Sequence, residues 1–161
     1  MQDKPAILPL ELVKQGINNM GVAKLLGMQI DTIQNGIGRV HIRVDESLMH
    51  PQQIVHGGIM FTLADTAMSM ALISVIPVGT RFSTIEAKIN FLAPVRTGEL
   101  LAEATVVQRG RTIAVLEATV YNINGKERKA VARALGTFSI GAGQVDQKGS
   151  QDDGKTHQAG R

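Results

Sequence analysis

The sequence predicts an α+β domain in which a curved antiparallel sheet wraps one long helix. Two observations carry this. Residues 57–76 are a long stretch rich in Ala, Met and Leu and apolar nearly all round, so the helix they form must be surrounded rather than laid on a surface. Four later segments alternate with period two, and their inward positions are mostly small, which lets a sheet approach a helix closely.

The elements follow in order. Residues 8–26 read as one or two short helices broken by Gly and Asn. Residues 28–45 read as a hairpin turning at Asn35-Gly36, and Gly36-Ile37-Gly38 is read as a turn. Residues 46–56 read as an irregular loop. The long helix stops at Pro77 and Gly79. Strands are expected over 82–92, 99–107, 112–122 and 128–140, with turns at Arg109-Gly110 and Asn124-Gly125. In the first, Ile85, Ala87, Ile89 and Phe91 share one face, opposite Thr84, Glu86, Lys88 and Asn90. The last three turn inward Leu100, Ala102, Ala104 and Val106; Ala114, Leu116, Ala118 and Val120; and Ala130, Ala132, Ala134, Gly136 and Phe138. The expected division is a helical segment over 1–20, the sheet-and-helix domain over 21–140, and a polar, flexible tail over 141–161.

Composition narrows the function. The chain has 161 residues and no cysteine, so disulfides and thiol chemistry are excluded. The formal charge of +3 is a slight basic excess, concentrated in the C-terminal half of the core. Four Phe, one Tyr and no Trp leave little for base stacking, so nucleic acid is a poor partner. The four histidines lack metal-ligand spacing, and no metal or redox cofactor is expected. A membrane span over 59–78 conflicts with Asp65 and with the amphipathic strands that follow. The N-terminus lacks an apolar signal region, and a cytoplasmic protein is expected.

The chemistry concentrates in one stretch, His50 to Ala67. Asp65 is the only charged side chain between His56 and Arg81. A carboxylate on an apolar helix is costly unless it is paired or has a task; pairing with a buried partner, or capping a neighbouring segment, is the plainer alternative. Gly57 and Gly58 open the helix, where bare N–H groups and about half a positive charge can polarise a carbonyl oxygen. A flexible helix entry with no ligand is the alternative there.

His56-Gly57-Gly58 followed by Asp65, together with Asn90-Phe91-Leu92-Ala93-Pro94-Val95, Gly98-Glu99-Leu100 and Gly110-Arg111, resembles the hotdog-fold acyl-CoA thioesterases of the phenylacetate-degradation type. The resemblance extends over about residues 20–140. It implies that Asp65 is the catalytic carboxylate, as nucleophile or as base for water. It implies that the Gly57 N–H binds the thioester oxygen, with His56 beside it, and that Ser83 or Thr84 helps to hold the attacking water. The family often reads Asn-x-x-Gly-x-x-His-Gly-Gly; here His50 and Gln53 stand at the Asn and first Gly positions, and His50 becomes a candidate for the orienting hydrogen bond.

Further candidates for the substrate are Gly58 and Gln53 in the loop, Met60 and Met68 against an acyl group, and Arg109, Arg111 and Lys88 for CoA phosphates; each of these cations is otherwise a solvated surface charge. Within one helix Asp65 lies about 12 Å from Gly57, too far to act on the same carbonyl. Two antiparallel copies would join them, so a homodimer or homotetramer with shared sites is expected. A non-catalytic acyl-CoA-binding protein and an enoyl-CoA hydratase are the rival readings.

Overall fold

The computed structural model describes residues 10–18 and 21–144. Helices α1 (Leu10–Asn18) and α2 (Gly21–Leu26) precede a hairpin of β1 (Gln29–Gln34) and β2 (Ile37–Arg43). A single 3-10 turn (Glu46–Leu48) follows, capped by Asp45, whose carboxylate accepts from the hydroxyl and backbone N–H of Ser47. Those bonds hold the Asp45 carboxyl below its ordinary pKa, the Ser47 hydroxyl contributing most. The supposedly irregular loop then forms a two-residue ladder, β3 (Met49–His50) with β4 (Ile54–Val55). Helix α3 (Gly57–Ile73) ends three residues earlier than expected, at a Ser74 cap. Four long strands complete the chain: β5 (Thr80–Phe91), β6 (Glu99–Arg109), β7 (Ile113–Asn124) and β8 (Glu127–Gln144). Strand β8 carries the domain past residue 140; the rest of the expected tail, and residues 1–9, lie outside the described residues.

The sheet is antiparallel throughout, in the order β1-β2-β6-β7-β8-β5, so β1 and β5 are its edges. It curves around α3, and the core forms between them: Val40, Ile42, Leu100, Ala102, Ala104, Leu116, Val120 and Phe138 are buried against Leu63, Ala64, Ala67, Met68 and Ala71. Small residues set the distance. A Cβ on Gly38 would stand 2.2 Å from the Ala67 carbonyl oxygen and 2.6 Å from the Ala71 nitrogen. Gly38 is therefore a strand residue that lets β2 touch the helix backbone, and only Gly36, with φ of 77°, belongs to the turn.

Two bulges alter the expected alternation. In β5, Thr84 pairs with Phe138 and Glu86 with Thr137, leaving Ile85 as the extra residue. Ile85 consequently turns out and is 56% exposed, and Thr84 joins Ala87 and Ile89 on the helix side. In β8, Val120 pairs with Ala132 and Tyr121 with Ala130, so Val131 is extra. Val131 is buried where Ala130 was expected, and its carbonyl accepts from the N–H groups of Leu92 and Ala93, fixing the end of β5.

Candidate active site

Helix α3 is not surrounded as its composition predicts. Strands β2, β6 and β7 cover one flank, while Phe61, Thr62, Asp65 and Ser69 form another that no strand buries. Two hydroxyls of the helix are satisfied locally: Thr62 donates to the Gly58 carbonyl and Thr66 to the Thr62 carbonyl, each at 2.8 Å. Asp65 is half-buried, and its Oδ1 accepts from the Thr84 hydroxyl at 2.9 Å. No ion pair to Asp65 occurs among the described residues.

The bulge at Ile85 decides which hydroxyl reaches the carboxylate. Ser83 is exposed on the far side of β5, where its carbonyl accepts from Ser139. Thr84 faces the helix. Of the two candidates, only Thr84 is brought to Asp65.

The helix entry is ordered by His56. Its Nδ1 accepts from the Gly58 N–H at 2.9 Å, so the proton of the neutral ring sits on Nε2. The Ile59 N–H donates to the His56 carbonyl. The Gly57 N–H makes no hydrogen bond among the described residues, which leaves one donor at the positive end of the helix. Gly58 is thus already engaged, and Gly57 is the donor available to a ligand.

The two departures from the family pattern sit in the β3–β4 turn. Gln53 adopts φ of 59°, a left-handed conformation that favours glycine, and its N–H donates to the His50 carbonyl at 2.8 Å. The turn keeps the backbone shape that a glycine there would serve. The His50 ring lies 6.1 Å from that of His56, and its Nδ1 accepts weakly from the Gln52 N–H at 3.3 Å. It makes no hydrogen bond to the Gly57–Gly58 entry among the described residues.

The remaining candidates lie elsewhere. Lys88 is on the outer face of the sheet, in a groove with Glu103, Glu117, Tyr121 and Arg133. Arg109 and Arg111 are exposed at the β6–β7 turn, where Thr112 pairs with Ile140, beyond the C-terminal end of α3. Met60 and Met68 are buried in the core. His41 is held between Asp31 and Glu99, and His157 lies outside the described residues. No group of three or more His, Asp or Glu side chains suited to a metal ion occurs among the described residues. No helix among them is long and apolar enough to cross a membrane.

One neighbour of the site was not singled out in the sequence. Phe91, at the end of β5, is 53% exposed and turns its ring toward Gly57. The signal was its place on the helix-facing side of β5, with Ala87 and Ile89.

A model of the thioesterase superfamily matches residues 52–129. The acyl-coenzyme A thioesterase PaaI of Escherichia coli K12 is 32% identical over 115 residues, covering 71% of this chain and 78% of that protein. The chain belongs to the thioesterase superfamily. Two solved structures share its hotdog fold. A thioesterase family protein from Silicibacter pomeroyi has a TM-score of 0.74 at 31% identity, covering 80% of this chain and 94% of its own. The E. coli PaaI protein from the phenylacetic acid degradation operon has a TM-score of 0.74 at 28% identity, covering 84% and 95%. As a thioesterase-superfamily member the chain is a thioester hydrolase, and the matched region contains both Gly57 and Asp65.

Proposed function

We propose that the chain hydrolyses acyl-CoA thioesters in a two-fold assembly whose sites each combine Gly57 of one copy with the partner's Asp65. One observation carries this reading: a single helix holds both groups, about 12 Å apart, with Asp65 on a flank that its own sheet leaves open. Two antiparallel copies of that flank would bring the groups together twice. The unpaired edge of β5 adjoins the same flank and gains a partner in such an assembly, as a dimer or within a tetramer.

In the reaction the thioester carbonyl oxygen takes the Gly57 N–H, reinforced by the helix terminus. The Asp65 carboxylate attacks the carbonyl carbon, or removes a proton from a water that does. The electron pair moves to the oxygen, returns, and breaks the C–S bond. Coenzyme A leaves as thiolate and takes up the proton, and the acid is released. If Asp65 attacks first, water hydrolyses the resulting anhydride to the same products. Thr84 holds one Asp65 oxygen and so aims the other. His56 engages the Gly58 N–H and so keeps the Gly57 N–H directed at substrate. The acyl-CoA class is supported by kinship with the E. coli acyl-CoA thioesterase.

Asp65→Asn preserves shape but removes the base or nucleophile, and turnover should fall at least about a hundredfold. Gly57→Val should block approach to the N–H. Refolded together, the two variants should recover roughly a quarter of wild-type activity, because half the dimers are mixed and each has one intact site. Demonstrated mixed dimers with no recovered activity would sink the shared site. Product analysis separates the rivals: free thiol marks hydrolysis, loss of an enoyl double bond marks hydration, and neither marks a binding protein.

A further inference from the structure

The ring of Phe91 occupies the space that a side chain on Gly57 would need. An ideal Cβ on Gly57 would lie 2.9 Å from Phe91 Cζ, and 3.2 and 3.3 Å from Cε1 and Cε2. The tip of the ring therefore packs against the Cα next to the free N–H. Phe91 is half exposed, unlike Phe138, which is fully buried, so core packing does not account for it. Its position is firmly held from behind. The next two residues, Leu92 and Ala93, donate to the bulged Val131 carbonyl, and Val55, just before His56, donates to Val95. The first bonds tie the end of β5 to β8, and the last ties the segment after it to the entry of α3.

A carbonyl oxygen bound by the Gly57 N–H sits about 3 Å from that nitrogen. A carbon next to that carbonyl, lying on the Cα side of Gly57, comes within van der Waals reach of the Phe91 ring tip. A methylene fits beside a ring tip; an additional methyl there overlaps it. We infer that Phe91 is a specificity-determining residue that discriminates at the α-carbon of the acyl group, favouring unbranched over α-branched thioesters. The inference rests on the acyl-CoA hydrolase reading and on Gly57 as the oxygen-binding donor. Selection by one methyl group in a tight apolar site is worth about 10- to 200-fold.

The test measures kcat/KM for two matched pairs: hexanoyl-CoA with 2-methylhexanoyl-CoA, and phenylacetyl-CoA with 2-phenylpropionyl-CoA. The readout is the branched-to-unbranched ratio, which a general loosening of the site leaves unchanged. In Phe91→Ala the ratio should rise roughly tenfold or more, and in Phe91→Leu by a smaller factor. Leu92→Ala, at an exposed neighbour outside the contact, should leave it as in the wild type. Ratios within about twofold of wild type in both Phe91 variants, with wild type active on the unbranched esters, overturn the inference and leave the hydrolase reading standing. Wild-type protein that hydrolyses none of the four esters overturns that reading, and the inference with it.

Discussion

Against β2, β6 and β7, helix α3 presents Leu63, Ala64, Ala67, Met70 and Ala71, all buried; on its other flank it presents Phe61, Thr62, Asp65 and Ser69, none of them buried. The covered flank is apolar and its spacing is set by glycine and alanine. The open flank holds the helix's carboxylate and two of its hydroxyls. Apolar residues on both flanks make the helix look uniform in sequence, yet one flank is finished by its own chain and the other is chemically equipped and uncovered. A domain that needed only stability would have little reason to keep a carboxylate there, since an unpaired charge gains nothing from partial burial.

The largest effect should come from disturbing the covered flank. Gly38→Ala places a Cβ against helix backbone that has no flexible end to yield, so β2 and α3 must separate. A loss of at least about 3 kcal/mol is expected, read as failure to accumulate folded protein or as a large fall in Tm. A melting temperature within a few degrees of wild type would show that the two elements can part without cost.

On the open flank the expected signature is reversed, with activity lost and stability kept. Thr84→Val removes the hydroxyl that holds Asp65 at nearly constant volume. Turnover should fall about tenfold or more, in line with one hydrogen bond to a charged group, while Tm changes little. Ser83→Ala, one residue away on the outer face, should change turnover less than about twofold. Equal losses in the two variants would mean that strand stability, and not the Asp65 contact, is being measured.

The smallest effect sharpens the comparison where the site meets its supporting loop. Gln53 holds a left-handed backbone that costs a side-chain-bearing residue about 1 kcal/mol. Gln53→Gly should relieve most of this and raise Tm by a few degrees. A lower Tm would show that the Gln53 side chain contributes more than its backbone strain costs.

Legibility from sequence followed the range of the forces involved. The helix, the strands and the Asn35-Gly36 and Asn124-Gly125 turns were legible because periodicity and turn chemistry are local. That Gly57 and Asp65 share one helix was legible for the same reason. Gly38 was read as a turn because its reason for being glycine lies about 30 residues away, at the Ala67 carbonyl. The choice between Ser83 and Thr84 was left open because strand alternation cannot reveal an inserted residue; pairing with β8 exposes it. Lys88 was a candidate by charge alone, although its alternation with Ala87 and Ile89 already put it on the outer face of β5.

The bulge at Ile85 works as a frameshift within the strand. Upstream of it, every side chain sits on the face opposite to the one that counting back from Ala87 would assign. A homologue that dropped the extra residue would keep its inward hydroxyl by moving it one place along the sequence. A homologue that kept the spacing but lost the bulge would present the residue at the position of Ser83 instead. Aligned columns in this stretch therefore do not track equivalent atoms, and the hydroxyl serving Asp65 in any relative has to be found by its partner on the neighbouring strand.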